Sequence, residues 1–462
     1  MRPNLRVGGE RRGLLPAVYP LPLLVLVSSC VSYQPAPLDS AQILAGLNEL
    51  RWVPPAATGA EAAPDGSAPT REQLASFAIL HNPSLRALRA EIGVADSLLV
   101  QAGLLPDPTI GWDAMDVVAA EVNGSGATSQ EYLSGLGVEF PLLRPGERDA
   151  RKAVASLHAE EARLLVTLGE WALAREVFLA YERVVSSRLL LEQNAELAGI
   201  AQNTHEYFER ARESGASTAI EANLALGDLQ AIRLDAIGLE SQLSRDEQHL
   251  RALLGLPPGS EVELRTAGGE PEAAQLLARG GELVELALRG RPDLALIETR
   301  YAVAEQAVRL EIARQFPSLT VGSGLSLVLP VFSRFNRPAI ETALARREAV
   351  GAELTSEIHR VRAAVAAAQV DLEESSRELA ALEAELLPNV EESLRLASGA
   401  FSAGEAPLLQ ILTVQRSLIA ARTRHVEARA EQAQRAWTLM AEAGLFLHTD
   451  DLRAALSLEQ LP

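Results

Sequence analysis

The sequence has one cysteine in 462 residues, only 4% aromatic side chains and a marked shortage of positive charge. A single cysteine cannot form an internal disulfide, and it excludes iron–sulfur clusters and cysteine-rich zinc sites, which need several thiolates. The formal net charge of −19 disfavours nucleic acid as a partner, because an acidic protein repels phosphates. The hydrophobic fraction of 48% excludes disorder of the whole chain.

Common catalytic motifs are also missing. The sequence contains no phosphate-binding G-x-x-x-x-G-K-[ST] loop, no G-x-G-x-x-G turn and no G-x-S-x-G esterase elbow. His205-Glu206 begins like a zinc-protease helix, but Glu209 stands where the second histidine is needed. The seven histidines show no ligand spacing, and three methionines are too few for a copper path. We therefore predict no catalytic residue, no metal site and no cofactor.

The amino terminus is typical of an export signal. Four arginines precede an apolar stretch from Leu14 to Val27, which is too short for an ordinary membrane-spanning helix. The stretch ends at Ser28-Ser29-Cys30, and small residues before a lone cysteine resemble a bacterial lipoprotein signal. That resemblance implies acylation of Cys30, and Val31 after it favours the outer membrane. The alternative is a plain signal peptide with an incidental thiol.

These patterns divide the start of the chain into residues 1–29, a signal peptide, and residues 30–70, a lipid-anchored tether. The tether is rich in Pro, Ala and Gly and contains one short amphipathic piece at residues 43–50. No later segment has 18 consecutive apolar residues, so membrane contact must come from strands or from the lipid.

The remainder of the chain repeats itself. We predict a first repeat at 71–257 with a β-hairpin at 107–141, a linker at 258–279, a second repeat at 280–445 with a short strand region at 318–332, and a tail at 446–462. The echoed pairs are His81-Asn82-Pro83-Ser84-Leu85 with Gly290-Arg291-Pro292-Asp293-Leu294, Leu105-Pro106 with Phe316-Pro317, Phe140-Pro141-Leu142-Leu143 with Leu329-Pro330-Val331-Phe332, and Ser214-Gly215-Ala216-Ser217 with Ala403-Gly404-Glu405-Ala406.

A very long helix is predicted in the first repeat. Residues 147–212 contain no proline, and apolar side chains recur on 3- and 4-residue spacings as in a coiled coil. Glu161, Arg175 and Glu182 interrupt this seam, and we expect them at a solvated edge. Trp171, Trp437, Phe178 and Tyr181 are expected to pack in the core rather than to stack on a ligand.

Alternating side chains predict membrane strands. Tyr132, Leu136, Val138 and Phe140 lie on one face of a predicted strand, opposite small or polar residues, as in a lipid-facing strand. The 34 residues between Pro106 and Pro141 allow two crossings of about 9–11 residues each. Only 12 residues separate Pro317 from Pro330, too few for two crossings and a turn.

This ordered series of motifs resembles the TolC-type outer-membrane efflux protein family, in its lipoprotein subtype. The resemblance implies a mainly α fold with a small β-barrel part, built as two repeats of long antiparallel periplasmic helices plus outer-membrane strands, the second strand pair being shortened. It implies a homotrimer in the outer membrane of a bacterial cell, lipid-anchored, contacting outer-membrane lipid, and with most of the chain in the periplasm. The expected partners are a periplasmic adaptor protein and an inner-membrane efflux pump.

The family's two periplasmic tips match Gly215, Ala216 and Ser217 in the first repeat and Gly404, Glu405 and Ala406 in the second. The resemblance implies adaptor docking there, whereas the residues alone indicate only helix–helix turns that need glycine. Glu213 and Glu405 would form rings of acids that select cations in an oligomer, or they are solvent-facing helix ends.

Three functions remain open. The first is a passive efflux conduit, the second is a non-conducting lipid-anchored scaffold of the same ancestry, and the third is a periplasmic enzyme. The conduit and the scaffold differ in whether the short strand region joins a closed barrel, because lipid does not tolerate unpaired strand edges.

The lipoprotein signal yields one prediction. Cys30→Ala is expected to leave the protein folded but without an acyl chain, because the only thiol that can carry the lipid is gone. Intact-mass spectrometry of the mature wild type and the variant measures this directly. A wild-type mass without an acyl chain would contradict the lipid anchor.

Overall fold

A computed structural model describes residues 33–52, 69–117, 132–260, 272–322, 324–403 and 405–445. Cys30 and Gly404, two of the predicted functional residues, lie outside these ranges. The chain divides into two units, Met1–Leu47 and Asn48–Pro462.

Long helices dominate the described residues, and the strands are few. The elements are α1 Ser40–Glu49, α2 Arg71–His81, α3 Pro83–Ala102, β1 Thr109–Val117, β2 Tyr132–Leu142, α4 Glu147–Glu213, α5 Ala219–Leu253, α6 Ala273–Ala278, α7 Glu282–Gly290, α8 Pro292–Ala313, β3 Ser318–Val321, β4 Leu325–Val328, α9 Arg337–Ala381, a π-helical turn Leu382–Leu386, α10 Leu387–Ser402 and α11 Leu408–Glu442.

The amphipathic piece of the tether is helical from Ser40 to Glu49, so α1 begins in the first unit and ends in the second. Asp39 Oδ1 accepts hydrogen bonds from the N–H groups of Ala41 and Gln42 at 2.9 and 3.1 Å. These bonds satisfy two donors that a helix start leaves free. No residue of α1 is buried.

In the second unit, the same series of elements occurs twice. The first pass is α2, α3, β1, β2, α4 and α5, and the second is α7, α8, β3, β4, α9 with α10, and α11. Helix α4 has 67 residues and is therefore about 100 Å long. The prediction of a mainly helical fold with a small strand part and a shortened second strand pair is confirmed.

Each repeat is closed by a hydrogen bond from the side chain of a residue at the N-cap position of a helix. Asn82 caps α3, and its Nδ2 donates to the carbonyl oxygen of Leu253 at 3.0 Å. Arg291 caps α8, and its Nη1 donates to the carbonyl oxygen of Glu442 at 3.0 Å. Leu253 and Glu442 are the last residues of α5 and α11, so the sequence echo corresponds to a repeated contact.

A left-handed glycine follows each of these acceptors. Gly255 has φ +73° and Gly444 has φ +71°, a region that L-residues with a Cβ avoid. A Cβ at Gly255 would lie 3.4 Å from the carbonyl oxygen of His81, and one at Gly444 would lie 3.3 Å from Arg291 Cγ. Glycine is required at both positions because another residue would be strained at this positive φ and its Cβ would crowd the facing chain.

The strands form one antiparallel sheet in the order β1-β2-β3-β4. Strands β1 and β2 pair from Thr109 opposite Glu139 to Val117 opposite Tyr132. Strand β3 joins β2 over three residue pairs only, Phe140–Leu142 against 319–321. Strands β3 and β4 have four residues each, about 13 Å of extended chain, so the second hairpin is much shorter than the first.

The largest core cluster lies where α2, α4 and α11 meet. Phe178 and Trp437 pack edge to face with ring centroids 5.0 Å apart, and Trp171 and Tyr181 are buried beside them. The expectation that these four aromatic side chains belong to the core is confirmed. Such rings remove a large apolar area from water at each position.

The polar residues of the α4 seam do not form a solvated edge, so that prediction is wrong. Glu182 is 2% exposed, pairs with Arg71 at 2.8 Å and accepts the Trp437 indole N–H at 3.1 Å. Glu161 and Arg175 are half-buried and pair with charged residues of other helices. Buried charges are found where they are paired, so these polar positions are interhelical contacts.

The second long helix is interrupted where the first is not. The π-helical turn Leu382–Leu386 ends with the Leu387 N–H donating to the Leu382 carbonyl oxygen, an i to i+5 bond. Pro388 follows, and a proline inside a helix removes one backbone donor. In the first repeat Gly199 stands at the corresponding position, so α4 continues unbroken.

The buried ion pair yields a stability prediction. Glu182→Ala is expected to lower the free energy of unfolding by roughly 3–5 kcal/mol, because it removes the carboxylate paired with the buried Arg71 guanidinium. Glu192→Ala, at an exposed position of the same helix, is the control and should change it by about 0.5 kcal/mol or less. Urea unfolding in detergent, followed by circular dichroism, measures both. Equal losses in the two variants would contradict the structural role of the pair.

Candidate functional site

The first predicted tip is a Schellman turn between α4 and α5. The Ala216 N–H donates to the Ala211 carbonyl oxygen at 2.8 Å, and the Gly215 N–H donates to that of Arg212 at 3.0 Å. Gly215 has φ +78°, the left-handed conformation that this turn places after a helix end. Ser217 lies between the turn and α5 and is half-buried.

A capping box starts the returning helix α5. Thr218 Oγ1 accepts from the Glu221 N–H at 3.3 Å, and the Thr218 N–H donates to Glu221 Oε2 at 2.8 Å. Ser217 Oγ also donates to that carboxylate. The Thr218 backbone bond and the two hydroxyl bonds lower the pKa of Glu221 below its usual 4.5. The turn is therefore tied at both ends.

The second tip has the same bond at the equivalent position. The Glu405 N–H donates to the Ala400 carbonyl oxygen at 2.8 Å, as Ala216 does to Ala211 in the first repeat. Ala406 is half-buried, and α11 starts after Pro407, which offers no side-chain cap. Gly404 itself lies outside the described residues.

The two acids that were predicted to form cation-selecting rings, Glu213 and Glu405, are exposed. Helices α4 and α5 form the coil of the first repeat, and α10 and α11 form the coil of the second. Glu213 is the last residue of α4 and Glu405 follows the end of α10, so each lies at the turn of its coil. Arg212, beside Glu213, is paired with Glu209 instead, at 2.7 Å. Both carboxylates are accessible to ions, and their arrangement in rings stays a prediction.

A groove of about 390 Å³ lies between the two coils near these turns. Its apolar wall includes Phe208, which is 1% exposed, together with Tyr207, Phe401 and Ile411. The Tyr207 and Phe401 rings approach edge to face with centroids 6.1 Å apart. The sequence analysis did not predict this groove, although the adjacent aromatic residues Tyr207 and Phe208, about two helical turns before Gly215, were a signal in a chain with few aromatics.

Polar contacts hold the two coils together beside the groove. Arg416 Nε of α11 donates to Asp228 Oδ2 of α5 at 2.7 Å. Thr204 Oγ1 of α4 donates to Gln415 Oε1 of α11 at 3.1 Å. These bonds join the first repeat to the second at the tip end of the helices.

The predicted membrane residues occupy β2. Tyr132 and Leu136 pair with Val117 and Trp112 in the backbone register. The side chains of Val138 and Phe140 are exposed, as the lipid-facing prediction requires. Exposed apolar residues continue on the second hairpin at Leu325, Leu327 and Val328.

Metal ligands and spanning helices are absent from the described residues. No group of three or more His, Cys, Asp or Glu side chains is arranged to hold a metal ion there. Within the same ranges, no helix combines the length and apolarity that a membrane crossing needs.

Comparison with known proteins decides the family. The sequence profile described as Outer membrane efflux protein matches residues 74–256 and 283–445. The chain belongs to this family. The two matched segments cover the two structural repeats, and each contains one tip and one strand pair. The efflux protein is therefore a channel component located in the outer membrane, and not an enzyme.

Individual relatives of the efflux protein are distant. It is 28% identical to the pyoverdine export outer membrane protein OpmQ of Pseudomonas putida over 83% of this chain and 88% of that one. It is 23% identical to the cobalt-zinc-cadmium resistance protein CzcC of Cupriavidus metallidurans over 80% of this chain and 88% of that one. The solved outer membrane protein VceC of Vibrio cholerae superposes with TM-score 0.66 at 17% identity, over 81% of this chain and 96% of that one.

The turn geometry yields a prediction with an opposite-sign control. Gly215→Ala is expected to destabilise the tip by roughly 1–2 kcal/mol, because an L-residue is strained at its positive φ. Gly227→Ala lies within α5, has open space for a Cβ and should stabilise that helix by about 0.5–1 kcal/mol. Hydrogen exchange of the Ala216 and Ser217 amides should accelerate in the first variant only. Faster exchange in both, or in neither, would contradict the role of the glycine.

Proposed function

We propose that the efflux protein is the passive conduit of a tripartite export system, delivering solute from a periplasmic adaptor and an inner-membrane pump past the outer membrane. The observation that carries this proposal is the pair of equivalent tips, one in each repeat, closed by the same backbone bond. Two coils that turn at the same end offer a partner two similar docking positions. An efflux channel needs such an end to receive solute.

The docking surface is the tip end of the two coils. Ile220 and Leu409 hold equivalent positions at the starts of α5 and α11, and they are 72% and 47% exposed. Apolar side chains at a turn, next to an apolar groove, favour the docking of another helical protein. The adaptor is proposed to contact Gly215, Ala216 and Ser217 in the first tip and Gly404, Glu405 and Ala406 in the second.

A homotrimer is the proposed assembly. Strands β1 and β4 are the two edges of the described sheet, and each leaves a row of backbone groups for another chain to pair with. Pairing of β4 with β1 of the next copy would close a sheet around an axis. In that assembly Glu213 and Glu405 form rings of carboxylates that favour cations.

The relatives do not share one solute. One relative is named for pyoverdine export and another for resistance to cobalt, zinc and cadmium, which are chemically different solutes. Export stands in the name of the first relative, and efflux in the description of the family that this chain matches. We therefore propose export without assigning a solute.

The shortness of the second hairpin favours a second candidate, a lipid-anchored periplasmic scaffold that does not conduct. Strands β3 and β4 have four residues each, whereas a crossing takes about 9–11. A scaffold would dock the adaptor through the same tips. The two candidates differ in one observable, which is ionic current.

Conductance in a planar bilayer separates the two. The purified lipidated oligomer is expected to give stable, cation-preferring current steps at low and high salt. Leu136→Pro should reduce these steps, because proline removes a backbone donor where Leu136 pairs with Trp112.

Leu136→Ala, which keeps the backbone donor, is the control and should conduct. A silent bilayer with an intact wild-type oligomer would establish the scaffold instead. Unchanged current in Leu136→Pro would show that this strand does not form the conducting part.

A further inference from the structure

An apolar groove lies where the helices meet the strands, at the opposite end of α4 from its tip. It measures about 280 Å³ and lies between α3, α4 and α8. Leu98, Val154, Ala155 and Leu310 form its apolar wall. Leu98 is largely exposed, so the wall continues onto the surface of α3.

The first two turns of α4 carry three cations, of which Arg151 lines the groove and Arg148 and Lys152 are its neighbours in the helix. Arg148 Nε donates to the Gly103 carbonyl oxygen at 2.9 Å, and Arg151 Nη2 donates to that of Leu104 at 3.4 Å. Lys152 is exposed, and its Cδ lies 3.7 Å from where a Gly103 Cβ would be. All three side chains therefore gather at the end of α3.

These cations are not neutralised. Within the described ranges, no ion pair joins Arg148, Arg151 or Lys152 to a carboxylate. Arg151 lines the groove, and its Nε is buried without a hydrogen-bond acceptor among the described residues. The first two turns of α4, which also contain Glu147 and Asp149, thus present three cations without an ion pair among the described residues, in a protein whose formal charge is −19.

The other charged residues of the groove already have partners. Arg314 pairs with Glu311 at 2.7 Å and lies 3.9 Å from Glu147. The ring of His158 lies 3.1 Å from Glu161. The free positive charge at the groove therefore comes from the first turns of α4.

Exposed apolar and aromatic side chains lie around the groove. Leu104 and Leu105, which connect α3 to β1, are exposed, and β1 begins at Thr109. Ile110 on β1 and Phe316, which precedes β3, are exposed as well. Cations next to exposed apolar and aromatic side chains are typical of the boundary between lipid head groups and acyl chains.

We propose that this groove binds one anionic phospholipid of the outer membrane. An acyl chain lies against Leu98, Val154 and Ala155, and the phosphate accepts hydrogen bonds from Arg151 and Lys152. Charge complementarity selects this occupant, since an apolar groove with unpaired cations beside it matches an acyl chain that ends in an anion. The proposal rests on the part of the proposed function that places the adjoining strands in the membrane.

Lipid retention tests the head-group contact. The full-length protein in detergent is mixed with phosphatidylglycerol or phosphatidylcholine, and native mass spectrometry counts the lipids that stay bound. We expect preferential retention of phosphatidylglycerol. Arg151→Gln with Lys152→Gln should weaken retention about tenfold or more, since each cation near an anionic surface contributes roughly a factor of five.

The control removes two cations elsewhere. Arg377→Gln with Arg395→Gln lies on exposed faces of α9 and α10, and its retention should match the wild type. Equal retention in the groove variant and the wild type, or equal retention of the two lipids, would overturn the proposal. If inorganic phosphate alone binds this groove as tightly as phosphatidylglycerol does, the site is one for a phosphate ion, and the lipid proposal is wrong.

Filling the groove tests the acyl contact. In Ala155→Phe the phenyl ring fills space in the groove while Arg151 and Lys152 stay in place, so we expect weaker retention of phosphatidylglycerol. Unchanged retention would refute the placement of the acyl chain. If Ala155→Phe instead dissociates the oligomer and the wild type retains no lipid, the groove is a contact between copies and the lipid proposal is wrong.

The chain also offers a built-in reporter, because Lys152 is its only lysine. An amine-reactive reagent therefore labels one side chain, and peptide mass spectrometry measures its modification. Phosphatidylglycerol vesicles should slow this labelling several-fold, whereas phosphatidylcholine vesicles should not. Equal labelling in both would count against the site.

Failure of this proposal and failure of the conduit are distinguishable. Lipid retention and lysine protection are measured without ionic current, so a silent protein can still hold phosphatidylglycerol. Conversely, a protein that conducts but retains no lipid would support the conduit proposal and refute the lipid site.

Discussion

The hydrogen bonds from Asn82 to the Leu253 carbonyl and from Arg291 to the Glu442 carbonyl set the geometry of both repeats. Each bond fixes the end of a returning helix against the start of another. At the far end, a Schellman turn connects α4 to α5 in the first repeat, and the Glu405 N–H donates to the Ala400 carbonyl oxygen at the equivalent position of the second. A helix held at both ends has a defined axial register along its whole length, and the interhelical contacts described above require such a register.

The two closures differ in chemistry although they agree in position. Asn82 makes a neutral contact, whereas Arg291 also binds the carboxylates of Asp293 and Glu442, at 2.7 and 2.8 Å. Burial would raise the pKa of Asp293, but the hydrogen bond and charge of Arg291 lower it below 3.8. Asp293 therefore stays ionised at neutral pH, and its contribution is lost only when the pH falls through that lowered pKa. The second repeat is closed by charges and the first by an amide.

Features that depend on local pattern could be predicted from the sequence. The proline-free stretch of α4, the glycine turn at Gly215 and the short second strand pair follow from spacing and from residue type, and the structure contains them. Contacts between residues far apart in the chain could not be predicted from the sequence. The Trp437 partner of Glu182 is 255 residues away, and Arg416 is 188 residues from Asp228. Periodicity shows that a helix has a seam, but it does not show which helix faces a polar residue there. For the same reason the two grooves, each lined by three helices, were not found from the sequence.

The sheet places a further constraint on how copies combine. Strand β1 pairs with β2 from residue 132 to residue 139, and β3 pairs with β2 only along Phe140–Leu142, so within the described residues β1 and β3 flank β2 at successive levels of the sheet. Lipid does not satisfy open backbone groups, which means that the longer hairpin must find partners on other copies wherever it meets acyl chains. The same holds for the next level, where β3 and β4 lie beside residues 140–142 and β1 has not yet begun. Because a closed sheet is wider when it contains more strands, the number of strands that the copies contribute at each level would set the width of a path for solute.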